Sequence, residues 1–514
     1  MTFAKPYSIE NPDEIAICDP SQELKWAEVD DVLNRCANGL QSMDLGPEER
    51  IAVFAENAVE TAMANLGGLV AGASVVPVNF HLTAEEVNYI LGDSGARVLF
   101  VGPETWERGV EAAKETGVHT IVAWGAPENK ALTSWGDWLS GNDAGEPDQS
   151  VPPKPNLLYT SGTTGRPKGT DLPPTMFAGG ATVSEHLANF KAGVLERSGG
   201  VIGPQLVVGP MYHTGPLSGT RQLIAGVSSV IMARFNAEKT LQAIEQYGIF
   251  SSIMVPTHFV RLLALPDDVK EKYDISSIRS ISHTGAKCPV DVKRSMIEWF
   301  GPVFVDAYGA SEVGTTCMIT SEEWLENPGS VGKAVPPFSA RILDDDGNDV
   351  PSNTEGRLYF EDATGRGVIY HNDPEKSAAA HIAPGVFTLG EIAYMNEDGY
   401  VFITDRFSDM VVSGGVNLYP AEAEQVLIDH PAVLDVACIG VPHSEMGEEL
   451  KALVIAKEGA ELPSPEAMIG WCRERLSHYK CPRTLDFVDD LGRNTMGKIN
   501  KRKLRAPYWE GQSA

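Results

Sequence analysis

Residues Leu158 to Thr170 read Leu-Tyr-Thr-Ser-Gly-Thr-Thr-Gly-Arg-Pro-Lys-Gly-Thr. The hydroxyls of Thr160, Ser161, Thr163 and Thr164 are interleaved with Gly162 and Gly165, and Arg166 and Lys168 add positive charge. Such a loop can wrap phosphate oxygens. Glycine frees backbone N–H groups to point inward, hydroxyls add donors, and the cations neutralise the anion. The apolar run Leu157-Leu158-Tyr159 just before it reads as the end of a strand, where α/β folds present ligand loops. The spacing is not that of a Walker A loop, and no G-x-G-x-x-G opens a dinucleotide-binding helix. A plain polar surface turn is the alternative, but turns rarely combine hydroxyls, glycines and lysine so densely.

A second cluster is Asp306-Ala307-Tyr308-Gly309-Ala310-Ser311-Glu312, after the apolar Val303-Phe304-Val305. Tyr308 offers a flat face for a base, Ser311 a donor for a phosphate, and Glu312 a hard oxygen ligand for Mg²⁺. Taken alone, the segment reads equally well as a strand-ending turn with a capping serine. Further on stand Thr388-Leu389-Gly390-Glu391, Arg406, the pair Gly414-Gly415, and Gly497-Lys498-Ile499. Lys498 has Lys501, Arg502, Lys503 and Arg505 for neighbours, so by itself it reads as one charge of a solvated tail.

In this order the motifs resemble those of the adenylate-forming superfamily, which comprises acyl-CoA synthetases, luciferases and peptide-synthetase adenylation domains. The resemblance covers nearly the whole chain. Tyr-Thr-Ser-Gly-Thr-Thr-Gly-x-Pro-Lys-Gly is that family's phosphate loop. Asp306 to Glu312 resembles its Tyr-Gly-x-Thr-Glu motif, with Ser311 keeping the hydroxyl. Glu391 takes the place of an aspartate that holds both ribose hydroxyls, one methylene longer. The resemblance implies further roles. Gly285 and Ala286 line the adenine and acyl pocket, and Arg406 contacts the ribose and phosphate side of the nucleotide. Ser408 occupies the hinge pivot, commonly Asp or Lys. Gly414 and Gly415 border a tunnel for the pantetheine arm of coenzyme A. Lys498 reaches the acyl carboxylate and α-phosphate, and His213, in Met211-Tyr212-His213-Thr214-Gly215, lies between acyl pocket and thiol tunnel.

The implied reaction consumes ATP with Mg²⁺. A carboxylate attacks the α-phosphate, pyrophosphate leaves, and a thiol then displaces AMP from the acyl adenylate. The leading expectation is an acid–CoA ligase acting on a medium-to-large hydrophobic acid of the fatty or steroid side-chain type. Small residues at Gly215, Gly219, Ala286, Ala310 and Gly314 leave room for a bulky acid. The alternatives are an aryl acid, a carrier-protein thiol as acceptor, or a nucleotide-binding protein without catalysis. Tyr479 and Lys480 are candidates for contacting the nucleotide of coenzyme A. Cys288 reads as a packing residue.

These residues need elements to position them. A chain of 514 residues is too long for one ordinary core. Helical and strand-like stretches alternate over the first part, with Thr83 as an N-cap and helices over 237–244 and 290–300. After about Ser330, Asp346-Gly347 and Asp398-Gly399 signal hairpins. Pro420 opens a last helix–strand unit. The expected fold is α/β: a large N-terminal domain of two βα-type sheet subdomains plus a small antiparallel barrel, then a small mobile α+β domain. The boundaries are 1–405, a hinge at 406–409, and 410–514. The net charge of −29 argues against nucleic-acid binding. Seven scattered cysteines with no C-x-x-C pair point to reduced thiols, and no apolar stretch reaches transmembrane length. A cytoplasmic location follows, with a homodimer allowed.

Overall fold

The computed structural model describes residues 2–160, 167–406, 409–457, 459–460, 463–492 and 499–510, without the side chains of Asp405 and Arg406; counts refer to these residues. Ser161 to Gly165 of the phosphate loop, Ser408 and Lys498 lie outside them.

Two sheets dominate the N-terminal part. One has five parallel strands, ordered Ser74–Val78, Arg50–Phe54, Val98–Val101, Thr120–Ala123 and Thr133–Ser134. Two of the three inner strands, Arg50–Phe54 and Val98–Val101, are buried at every position. That is why their runs are apolar without alternation: helices cover both faces. Each fully buried Phe, such as Phe54 and Phe100, contributes roughly 1.5–3 kcal/mol by leaving water.

The second sheet has nine strands. Its central parallel members are Gln205–Val207, Ser251–Met254, Ser280–His283 and Phe304–Ala310, and Gly314–Thr320 joins it antiparallel. The helices between them fall where the sequence pattern puts them. Val290–Phe300 ends at Gly301, and Ala237–Tyr247 is capped by Asn236 and closed by left-handed Gly248. Thr83 caps Ala84–Ser94 and Glu86 answers it, a reciprocal capping box.

One expectation changes. The Asp306–Ala310 segment is strand, not turn, because Gly314–Thr320 folds back and pairs with it as far as Ala310–Gly314. The register slips between Tyr308 and Gly309. A β-carbon on Gly309 would stand 1.9 Å from the Gly314 carbonyl, so this bulge admits only glycine. Ser311 to Val313 make the turn.

The hairpin-rich stretch forms a six-stranded antiparallel sheet that ends with the pair Glu391–Met395 and Val401–Arg406. A separate sheet, built on the long Val433–His443 and Gly447–Ala456 pair, starts at Val411–Ser413 and packs with helices Pro420–Ile428 and Pro465–Arg473. Leu157–Thr160 and Lys168–Asp171 form a two-stranded ribbon flanking the phosphate loop. No helix among the described residues is long and apolar enough to cross a membrane.

Candidate functional site

The ribbon presents Thr160 and Lys168 as a register pair on either side of the loop. Thr160 Oγ1 points to Glu312 Oε1 at 3.5 Å, so the second motif closes on the first. Glu312 is buried, and the Tyr370 hydroxyl hydrogen-bonds to it. Burial pushes its carboxyl above the ordinary glutamate range, against the pull of Lys376 and of the Tyr370 and Thr160 hydrogen bonds. A buried carboxylate with a deficit of positive charge, ringed by hydroxyl oxygens, is chemically suited to a hard cation. Among the described residues, no group of three His, Cys, Asp or Glu could hold a metal. A single carboxylate completed by substrate phosphates is the Mg²⁺ pattern, so the residues present fit that ion.

Lys168 Nζ is anchored 2.5 Å from Asp373 Oδ2. Asp373 also caps the helix Pro374–Ala379 through the Lys376 N–H. That helix brings a second cation: Lys376 Nζ sits over the Tyr370 ring, 4.2 Å from its centroid. Burial, then the neighbouring Lys168, push the Lys376 ammonium down to about 8. Tyr370, Asp373 and Lys376 were not singled out by their sequence. The one available signal was the helix start Asp373-Pro374-Glu375, which says nothing of where the helix docks.

Around this centre the other candidates take their places. Tyr308 is on the strand leading to Glu312. The Asp306 carboxylate faces away from solvent: it is bonded to the buried Lys293 ammonium and stands 3.2 Å from His283 Nδ1, which hold it below the usual range despite its burial. Ala307 neighbours it on the strand. Gly285 and Ala286 follow the strand Ser280–His283, with Gly285 at φ 88°, a left-handed turn. Glu391 begins its strand, buried, and in the ladder it stands directly opposite Arg406. The strand pair therefore puts the two candidate nucleotide contacts at one level of the sheet.

His213 is the N-cap of the helix Thr214–Arg221. Its Nε2 is enclosed and has no hydrogen-bond partner among the described residues. Burial, with His81 as a lesser cause, pushes the imidazole down to about 4, so it is neutral at neutral pH. Gly414 and Gly415 form the tight turn between Val411–Ser413 and Val416–Leu418, both left-handed, at φ 59° and 83°. This turn leans on the N-terminal sheet. A β-carbon at Gly285 would lie 3.6 Å from the Gly415 carbonyl oxygen, and one at Gly415 would stand 3.0 Å from Val255.

Three sequence expectations are corrected. Gly215 and Gly219 point at the sheet, toward Ile253 and Val207, where they allow close helix packing. Gly314 is held by its left-handed φ and the nearby Thr175 and Met176. Lys480 is buried between Glu86 and Glu422, which take up its ammonium, and the Tyr479 hydroxyl beside it accepts a hydrogen bond from Asn79. Cys288 is a packing residue as expected, its thiol pushed up to about 12 by burial.

The sequence matches the AMP-binding enzyme family over residues 8–367 and the AMP-binding enzyme C-terminal domain over 422–498. It is similar to fatty acid–[acyl-carrier-protein] ligase ScoC of Streptomyces coeruleorubidus, 31% identical, covering 98% of this chain and 95% of that one. Indoleacetate–CoA ligase of Aromatoleum aromaticum is 30% identical over 96% of this chain and 95% of its own. The crystal structure of ATP-bound MatB from Rhodopseudomonas palustris superposes with a TM-score of 0.65 at 27% identity, over 99% of this chain and 98% of that one. The chain belongs to the AMP-binding enzyme family, the AMP-forming ligases that use ATP, Mg²⁺ and coenzyme A.

Proposed function

We propose that the protein is an ATP-dependent carboxylic acid–CoA ligase for a medium-to-large hydrophobic acid of the fatty or steroid side-chain type. The observation that carries the reading is the convergence of Thr160, Tyr370 and Lys376 on Glu312, with Lys168 held next to Lys376 by Asp373, beside the strand that bears Tyr308.

The chemical problem is to bring two anions together and leave pyrophosphate as the product. Lys168 and Lys376 offset charge on the departing phosphates. Tyr308 stacks the base, Ser311 donates to the α-phosphate, and Glu391 with Arg406 holds the ribose. Mg²⁺, held by Glu312, would supply charge neutralisation at the phosphates. Lys498 reaches the carboxylate and the α-phosphate during adenylation. Residues 406–409 are the hinge between an N-terminal domain, 1–405, and a mobile domain, 410–514, whose rotation exchanges Lys498 for the Gly414–Gly415 turn. Neutral His213 then stands between the acyl group and the thiol. The seating of that turn against Val255 and Gly285 supports its place beside a thiol tunnel. A cytoplasmic location suits seven free thiols.

The kinship with a fatty acid–carrier-protein ligase favours one second reading, a carrier-protein acceptor. The test is AMP release from ATP and Mg²⁺ over a panel of fatty, steroid side-chain and aryl acids, with and without coenzyme A. CoA-dependent release with one hydrophobic class, lost in Lys498→Ala, supports the proposal. Adenylate that forms but is not discharged by coenzyme A moves the acceptor to a carrier protein; selective turnover of aryl acids changes the substrate class; and no acid-dependent reaction overturns the ligase reading.

A further inference from the structure

The strongest unexplained feature is the buried charge cluster around Lys480. Lys480 ends the short turn His478–Lys480 in the C-terminal unit and is 3% exposed. Its ammonium lies 2.7 Å from Glu86 Oε1 and 3.0 Å from Glu422 Oε1. Glu422 belongs to the same unit, on the helix Pro420–Ile428. Glu86 does not: it sits on the helix Ala84–Ser94 beside the five-stranded parallel sheet. Two more bonds cross the same boundary. Ser477 Oγ donates to Glu86 Oε2 at 2.6 Å, and Asn79 Nδ2 donates to the Tyr479 oxygen at 3.0 Å.

One lysine is therefore shared by two carboxylates from opposite sides of a domain boundary. Among the described residues Glu422 Oε2 has no hydrogen-bond partner, and two carboxylates share one ammonium. Burial pushes the Glu422 carboxyl up, while Lys480 outweighs burial at Glu86 and brings its carboxyl down. The cluster thus depends on Glu86 and Lys480 staying together. A buried ion pair gains little stability over an apolar contact of the same size. It is demanding in geometry, however, and both charges regain water when it opens. Those properties suit a contact that must hold one orientation and still be released.

The same docked orientation seats the Gly414–Gly415 turn. Gly414 packs beside Met446 and Thr257, and Gly415 against Val255. Arg261 and Glu445 pair at 2.5 Å on the rim of that contact.

We propose that Glu86 and Lys480 are positioning residues for the thiol-transfer half-reaction. Their pair, backed by Ser477 and Asn79–Tyr479, latches the C-terminal unit in the orientation that brings the glycine turn onto Val255 and Gly285, and it opens whenever that unit turns away for adenylation. The inference rests on the ligase reading for its kinetic consequence, but not for the latch itself.

The test uses Glu86→Gln in the full chain. Gln keeps the length and one oxygen that can still serve the Thr83 cap, removes the charge, and replaces the oxygen that faces Lys480 with an amide NH₂ that cannot accept from it. Lys480→Met is less useful because it also strands Glu422. Acid-dependent pyrophosphate–ATP exchange reads the first half-reaction, and discharge of preformed acyl adenylate by coenzyme A reads the second. The expected result is exchange within about twofold of wild type and transfer slowed about tenfold, the population shift from losing one buried pair. Hydrogen exchange of the peptides covering 79–86 and 476–483 should quicken together, at an unchanged melting temperature. Equal loss of both half-reactions, or unchanged transfer with unchanged hydrogen exchange, overturns the latch. If the wild-type protein exchanged pyrophosphate with no acid, the ligase reading would fall, and the hydrogen-exchange comparison would still decide the latch.

Discussion

Gly415 runs so close to Val255 that a β-carbon on the glycine would stand 3.0 Å from Val255 Cγ1, although 160 residues of chain, by their numbers, separate them. The backbone there is left-handed at φ 83°. Gly415→Ala therefore meets two costs, roughly 1–2 kcal/mol of backbone strain and a contact that must give. The contact with Val255 acts on the docked orientation only, whereas the strain is local to the hairpin Val411–Ser413/Val416–Leu418 and is met in either orientation. The expected outcome is acid-dependent pyrophosphate exchange near wild type with CoA-dependent AMP release about tenfold slower, and partial recovery in Val255→Ala/Gly415→Ala. Equal rates in both assays would show that the turn does not matter for transfer.

Burial disfavours the ionised form of the Glu312 carboxyl. Its folded carboxyl is raised, so it weakens stability as pH rises above the unfolded value of 4.5. Glu312→Gln should melt no lower than wild type at pH 7, while acid-dependent pyrophosphate exchange falls about 10²–10³-fold, the usual scale for losing a preorganised electrostatic group. A lower melting point with intact exchange would mean that the residue is structural.

Lys376 lies on the short helix Pro374–Ala379, and Lys168, on its own strand, pairs with the aspartate that caps that helix. Lys376→Ala is expected to raise the KM for ATP about tenfold while leaving discharge of preformed acyl adenylate unchanged, since only adenylation places phosphates at this end. Because the ammonium titrates at about 8, kcat/KM for ATP should decline as pH rises through that value in wild type and lose that step in the variant. A pH profile from 6.5 to 9 on both proteins decides the matter.

His213 is neutral in the folded protein down to about pH 4. Above the unfolded value of 6.5 it is neutral in both states and has no effect on the balance. As pH falls from there toward 4, the unfolded chain takes up a proton that the folded one refuses, and stability drops, by on the order of 3 kcal/mol in all. His213→Gln should flatten the fall in melting temperature between pH 6.5 and 4. An unchanged slope would place the acid sensitivity elsewhere, with His258, pushed down to about 3, the next residue to replace.

The sequence by itself determined what depends on neighbours along the chain. The Thr83 capping box, the helix Val290–Phe300, Pro420 at its helix start and the hairpin turns are local signals acting over a few residues, and each stands where it was expected. The family was legible because the composition of the segment Leu158 to Thr170 is extreme. What the tertiary structure alone decided is how distant segments meet. Thr160 is 152 residues from Glu312, Lys168 is 205 from Asp373, and Lys480 is 394 from Glu86. No local propensity encodes such a meeting, because it follows from the order and pairing of the strands. The same holds where expectation failed. Asp306 to Ala310 became strand because a later strand paired with it, Gly215 and Gly219 served helix packing, and Lys480 lost its water to two carboxylates that the fold carried to it. Side-chain type and spacing specify which chemistry a chain can perform; burial and charge pairing, which exist only after folding, set the state each group is in when it does so.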